Sequence, residues 1–517
     1  MKKTLLVNLP QYDTIAPPGA LAILAAVCTQ HNYDYEFFDY NIKLHHTLSE
    51  SQLLLLSDWL VGIIPDYNNL DPELKQQLID LWTTSLTKDF LKNFDIIAVS
   101  VFSVWSLRIA QLILPILRQS TDALIVLGGN GCSSNFLDSK LPFSHWVLDN
   151  KLADFVVQGD GEPTFSSILK GQQDIPGVNH TPQKFDWDIN TYPIPDYSKF
   201  DLSLYNSKKV YITGSRGCVR NCTFCDIAVT WPKFRYRKAQ SLVEEIKKHY
   251  YDLGVESFDF TDSLINGSIT NFYEFNVLLA EEKAKNTDLK NINYIGQFIC
   301  RPQSQMPAHH YEAMHYAGCN QLTIGIESFS EKVRMHMRKK FSNADIDYHI
   351  EQSSRWGIRN VWLMICGYPT ETIDDHHENL SALEKYHRYA QQGTIQLIRW
   401  GTTMHLFDDT PIVSDSMIQE LGIRVYSGPA AGLSSVYNWI SEKNPELTLT
   451  ERIRRRVEIH EQCVKYGYAQ PRVRQELMAI KNLAKQSKLS TKVTSPVIFL
   501  KNSNHKPITS STDIQIL

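Results

Sequence analysis

At 517 residues the chain exceeds one compact domain, and two or three domains of about 100–200 residues each are expected. Hydrophobic residues make up 43% and charged ones 21%, which excludes a disordered or fibrous chain and leaves ample material for a buried core. The net charge of −4 gives no general attraction for polyphosphates, so nucleic acid is not an expected partner.

In chain order, Met1-Lys2-Lys3 precedes an apolar run that ends at Asn8 and Pro10. That run is short of the roughly 7–15 residues of a secretory core. Residues 20–28 are likewise short of the ~20 residues of a membrane span. The expectation is a cytoplasmic protein with no membrane association. In a reducing compartment, nine cysteines suggest metal ligation before disulfides.

Strands are predicted over 5–9, 35–38, 96–101, 123–127 and 153–157, with helices over 20–30 and 107–117 and an insertion over 48–90 holding two helix-like stretches. The alternation implies right-handed crossovers and a doubly wound, Rossmann-like parallel sheet, which binds ligands at the carboxyl ends of its strands. A Pro- and Asp-rich stretch reads as a linker. Six further strands follow, over 210–213, 257–261, 294–300, 321–326, 361–365 and 394–398. They suggest a second α/β unit, a partial (β/α)6 TIM-type barrel with its chemistry at the strand C-termini. The expected division is 1–170, linker 171–205, barrel 206–420, C-terminal helical region 421–484 and mobile tail 485–517. Arg452, Arg454, Arg455 and Arg456, set among glutamates, read as a solvated or interdomain helix face. Asp374-Asp375-His376-His377-Glu378 reads as a solvated helix start, since adjacent helical positions do not face one ion.

The informative segment is Gly214-Ser215-Arg216-Gly217-Cys218-Val219-Arg220-Asn221-Cys222-Thr223-Phe224-Cys225. Three cysteines on a short glycine-flanked loop suit an iron–sulfur cluster, and three ligands leave one iron open. Structural zinc suits the same spacing but needs a fourth ligand. Cys28, Cys132, Cys300, Cys319, Cys366 and Cys463 are scattered singly. A zinc-binding interaction protein stays open as the alternative of another class.

At these residues the chain resembles the radical S-adenosylmethionine (SAM) superfamily, whose signature has an aromatic residue before the third cysteine, here Phe224. The resemblance continues through Phe258-Asp259-Phe260-Thr261-Asp262-Ser263, Ile324-Gly325-Ile326-Glu327-Ser328 and Gly367-Tyr368-Pro369-Thr370-Glu371-Thr372. It implies a 4Fe-4S cluster on Cys218, Cys222 and Cys225. It also implies S-adenosyl-L-methionine beside Phe224, Asp262, Ser263, Gly325, Glu327 and Ser328. Arg301, just past a barrel strand, reads either as a further cofactor or substrate contact or as a surface ion pair. Ser328 with Glu331 also reads as a capping box, and Thr372 as an N-cap. The implied chemistry is reductive cleavage of SAM to a 5′-deoxyadenosyl radical, fed by an electron donor such as flavodoxin or ferredoxin.

The first domain resembles the cobalamin-binding-like domain found ahead of many radical barrels. The matching stretches are Leu6-Val7-Asn8-Leu9-Pro10, Pro17-Pro18-Gly19-Ala20-Leu21, Ser100-Val101-Phe102, Leu127-Gly128-Gly129-Asn130-Gly131 and Gln158-Gly159-Asp160-Gly161-Glu162. The resemblance implies cobalamin near Asn8, Ser100, Gly128, Gly129, Gly161 and Glu162. The loop after the first strand lacks a histidine of the Asp-x-His-x-x-Gly type that would ligate cobalt. With cobalamin, the implied reaction is methylation of an unactivated position in a small molecule or peptide. Cyclisation or rearrangement, or a radical enzyme without cobalamin, are the alternatives. No residue is assigned to the chemistry on the substrate.

Overall fold

The computed structural model describes residues 2–10, 13–61, 64, 67–135, 141–181, 187–407, 410–425 and 438–468. The expected mobile tail and the end of the expected helical region lie outside the described residues.

The first unit is a five-stranded parallel sheet of β1 (Lys3–Asn8), β2 (Asp34–Asp39), β3 (Ile96–Ser100), β4 (Leu124–Gly128) and β5 (Phe155–Val156), in the order β2-β1-β3-β4-β5. Leu5-Leu6-Val7 and the stretch from Ile96 to Val99 are buried on both faces of the sheet, which is why they read as unbroken apolar runs. Helix Gly19–Gln30 covers one face through Leu21 and Ala25, and helix Leu107–Ser120 the other through Ile109 and Ile113. The strand order reverses between β1 and β3, so a ligand crevice is expected at the carboxyl ends of those two strands.

The second unit opens with β6 (Lys209–Ile212), followed by a separate antiparallel ribbon of β7 (Ser215–Arg216) and β8 (Arg235–Tyr236). Then come β9 (Ser257–Phe260), β10 (Asn293–Phe298), β11 (Cys319–Glu327), β12 (Arg359–Cys366) and β13 (Ile395–Thr403). Six of these pair in parallel in the order β13-β12-β11-β10-β9-β6, which gives the expected partial barrel, open between its first and last strands. In β12, Trp362, Met364 and Cys366 are buried against the surrounding helices, while Val361, Leu363 and Ile365 stay partly accessible on the opposite face. Gln297 on β10 and Arg399 on β13 are exposed on the corresponding faces of their strands. The inner face of this open barrel is therefore a surface.

The two units touch where the carboxyl end of β1 meets β6. Asp13, in the loop after β1, accepts a hydrogen bond from the Tyr211 hydroxyl at 2.7 Å. Tyr197 of the connecting segment donates to the Tyr211 carbonyl at 3.0 Å, and a Cβ on Gly19 would stand 3.0 Å from that of Tyr211.

The C-terminal region, expected to be helical, starts with an antiparallel pair, β14 (Ile423–Val425) and β15 (Trp439–Ser441), before helix Leu449–Lys465. Its arginine run, read as a solvated or interdomain helix face, is for the most part not solvated but turned inward. Arg452, Arg455 and Arg456 are buried, and only Arg454 lies in solvent among Glu451 and Glu458. Arg455 and Arg456 find acceptors at the strand ends of the barrel, and Arg452 on β15. Arg456 donates to the Trp400 and Gly401 carbonyls, Arg455 to Glu371 and Thr372, and Arg452 to Trp439. Residues 374–378 are also less solvated than expected. Thr372 caps helix Ile373–Gln391 reciprocally with Asp375, which is buried, and His376 is buried beside Glu458 at 3.0 Å.

Candidate cluster-binding site

The three cysteines sit on the loop between β7 and β8. Gly217 starts that loop at φ +84°, where a Cβ would come within 2.7 Å of the Lys233 carbonyl oxygen, so only glycine lets the two arms close. Thr223, fully buried between the second and third cysteines, pins the loop to the barrel. Its amide donates to the Met337 carbonyl at 3.2 Å, its carbonyl accepts from Ile412 at 2.7 Å, and its hydroxyl bonds Tyr368 at 2.8 Å. Tyr368 comes from the Gly367–Thr372 stretch of the sequence resemblance, which indeed joins β12 to the next helix.

The thiols lie close enough to feel one another's charge. Burial, reinforced by that mutual repulsion, pushes the Cys222 thiol up and the Cys225 thiol to about 12. Ligation would release those protons to a metal. The Arg220 amide donates to Cys218 Sγ at 3.4 Å. Two buried cations face the group. Arg301 gives one bond to the Asn266 carbonyl at 3.2 Å, while its buried Nε has no partner and Cys218 lies within its electrostatic reach. Lys339 pairs with Glu327 at 2.9 Å and stands 5.7 Å from the centre of the Phe224 ring. Burial works against its charge, but Glu327, Cys222 and Cys225 hold it above the usual lysine range. Sequence reading missed Lys339, which follows Met337-Arg338 in what looks like a solvated helix end.

Thus Phe224, Glu327 and Arg301 gather at the cysteines. Glu327 holds φ +68° at a bulge in β11, and Gly325 beside it has no side chain to obstruct the Glu327 carboxylate and Lys339. Ser263 is half-buried after β9. Asp262 and Ser328 are turned to other work. Asp262 is buried, accepting from the Gly214 amide at 2.7 Å and from the Ser215 hydroxyl, so it shapes the entry to the loop. Ser328 bonds Asn379 and accepts from the Ser330 amide, and Ser330 instead occupies the N-cap of the next helix. The Ser328 capping box expected from sequence is therefore not formed.

Burial raises the Asp262 carboxyl from 3.8 to about 7, despite its two hydrogen bonds. The folded state then holds a proton that the unfolded chain has released, so this contribution is complete below pH 4 and is lost as pH rises to 7. Relative to Asp262→Asn, the parent chain should lose up to about 4 kcal/mol of stability across that window. Urea unfolding of both chains at the two pH values measures it, and parallel profiles would refute the assignment.

In the first unit, several expected ligand contacts are spent within the protein. Side chains on Gly129 and Gly131 would strike the backbone of residues 101–103, so these glycines serve loop packing. Gly128 faces Val157, whereas Gly161 has open space. Glu162 is buried and paired with Arg216. Ser100 is half-buried at the end of β3. Asn8 donates to Asp39, but its carbonyl oxygen is buried without a partner, as are the Ser103 and Ser106 hydroxyls beyond β3. Unsatisfied polar atoms flanking the β1/β3 crevice fit a ligand rich in amides.

Residues 212–383 match the model of the radical SAM superfamily. A tRNA-2-methylthio-N(6)-dimethylallyladenosine synthase of Christiangramia forsetii is 25% identical over 289 residues, 50% of this chain and 55% of its own length. The chain spans about half the length of the curated relatives it matches. Among solved structures, the radical S-adenosylmethionine methyltransferase TsrM from Kitasatospora setae, with cobalamin and a [4Fe-4S] cluster bound, aligns at TM-score 0.59 and 15% identity, covering 88% of this chain and 85% of that one. The cobalamin-dependent S-adenosylmethionine radical enzyme OxsB with aqua-cobalamin aligns at TM-score 0.62 and 15% identity, covering 95% and 72%. These matches overturn the zinc-binding alternative, and the six remaining cysteines are each buried in hydrophobic packing. Residues 212–383 thus carry the match to the radical SAM superfamily, and the chain shares with those two enzymes a fold in which a parallel-sheet domain stands ahead of the barrel.

Proposed function

We propose that the protein is a cobalamin-dependent radical SAM methyltransferase acting on a small molecule or peptide. The observation that carries the radical half is the convergence on one loop of Cys218, Cys222 and Cys225 with the buried cations Arg301 and Lys339. When bound, the cluster and S-adenosylmethionine would supply a reductively generated 5′-deoxyadenosyl radical, and cobalamin a transferable methyl group. The chain does the holding. The three thiolates would ligate the cluster, and Thr223 fixes their loop. The free Arg301 Nε offers a partner to a carboxylate, while Phe224, Gly325, Glu327 and Ser263 would border the remainder of the SAM molecule. Accessible polar side chains on the inner face of the barrel, Thr261, Gln297 and Thr323, would meet the substrate.

Three observations support cobalamin. The sheet reverses its order between β1 and β3, unsatisfied polar atoms of Asn8, Ser103 and Ser106 lie there, and that end is turned toward the barrel by Asp13 and Tyr211. The fold is shared with two enzymes whose structures contain it. Among the described residues no helix is long and apolar enough to cross a membrane, and we place the enzyme in the cytoplasm with a flavodoxin or ferredoxin as reductant.

Anaerobic preparation with iron, sulfide and hydroxocobalamin tests the reading. Iron with acid-labile sulfide, 5′-deoxyadenosine on adding SAM and dithionite, and a cobalamin spectrum that survives gel filtration are expected. Stoichiometric zinc without sulfide would overturn the radical assignment, and cobalamin eluting free of protein would overturn the methyl-transfer half alone.

A further inference from the structure

The loop that carries the cysteines hangs from a very small support. Its two stems, β7 and β8, pair over only Ser215 with Tyr236 and Arg216 with Arg235. An isolated ribbon of that length has little stability of its own. Both arginines of its inner pair reach out of the barrel to the first domain. Arg216 donates to Asp160 at 2.6 Å and makes a two-pronged contact with Glu162. Arg235 donates to the same Asp160 at 2.8 and 3.2 Å. The carboxylates are 3% and 5% exposed and the arginines 15% and 12%, so this is a nearly dry, charge-balanced group of four. Rings of Trp187, Tyr192 and Trp231 surround the Arg216 guanidinium at 5.8, 5.7 and 5.0 Å.

Asp160 sits at the N-cap of helix Gly161–Leu169, where an aspartate ordinarily accepts from the first-turn amides. Here it makes no side-chain cap and is turned to the arginines instead. The helix start forgoes its own satisfaction to hold the stems of the neighbouring domain's loop.

We propose that Asp160 and Glu162 clamp both stems of the cysteine loop through Arg216 and Arg235, so that the first domain keeps the three cysteines in register for the cluster. These four are positioning residues. The inference rests on the reading of Cys218, Cys222 and Cys225 as cluster ligands. It also gives the Gly159–Glu162 stretch a role separate from cobalamin contact. A rearrangement of that stretch would be felt at the cluster.

The test uses the full chain, reconstituted anaerobically, with Glu162→Gln and with Arg216→Lys, which keeps the charge but loses the planar fork. Iron release to a chelator, the electron paramagnetic resonance spectrum of the reduced cluster and thermal unfolding are read on each. We expect iron release at least about tenfold faster than in the parent, as for other residues that orient metal ligands, with an altered spectrum. If Glu162→Gln fails to fold, Arg216→Lys is read in its place. Unchanged iron release and spectrum beside a lowered melting temperature would reduce the group to a domain-docking ion pair and overturn the proposal alone. A parent chain that takes up no cluster would overturn the ligand assignment as well.

Discussion

Cys222→Ala should give a folded chain that holds no stable cluster and forms 5′-deoxyadenosine at least about a thousandfold more slowly than the parent. The expectation follows from the different demands that fold and site make on this residue. For the fold, Cys222 is a small, buried, mostly protonated thiol, and alanine in its place leaves a void costing on the order of 1 kcal/mol. The anchoring of the loop is carried next door by Thr223 and survives the change. For the site, two thiols replace three, and the loop holds no fourth cysteine to stand in. Cys319→Ala is the matched control. Cys319 is equally buried but begins β11 inside the hydrophobic core, remote in role from the loop. That variant should lose stability and keep its iron. Iron, sulfide and product assays on the two variants decide the matter, and undiminished cleavage by Cys222→Ala would refute the ligand assignment.

What could be read from sequence follows the length scale of each signal. The six barrel strands and β1 to β4 of the first sheet were legible because each is a run between turn residues long enough to show its pattern, and the two residues of β5 because they lie inside the apolar stretch 153–157. β7 and β8, of two residues each, carry no period, and no local pattern sets Arg216 apart ahead of the first cysteine. Gly159–Glu162 pointed correctly to the end of a strand, but its carboxylates answer arginines far along the chain, a pairing that no local pattern announces. The same holds for Asp262, whose partners Gly214 and Ser215 lie on another strand end. The buried arginines were within reach. Arg452, Arg455 and Arg456 share a helical face with Ile459 and Cys463 at spacings of three and four, so that the apolar stripe itself marked them as inward.

Lys339→Met carries the second large effect. Lys339 and Glu327 are each 10% exposed and bonded at 2.9 Å, and Glu327 is held at positive φ by the bulge at the end of β11, unable to swing into water cheaply. Removing the lysine strands a carboxylate in a nearly dry site. Breaking one side of such a pair costs about 3–5 kcal/mol. Lys339→Met combined with Glu327→Gln removes both charges and should recover most of the lost stability. Recovery of function should not follow. The thiols at Cys222 and Cys225 feel the Lys339 charge directly, and with both partners neutral the site keeps Arg301 and Arg220 but loses the Lys339 charge that faces an anionic cluster. Denaturant unfolding of the single and double variants at neutral pH, beside iron retention in each, separates the two contributions. A single variant as stable as the parent at neutral pH would show that the pair is solvated and that Lys339 is no part of the site.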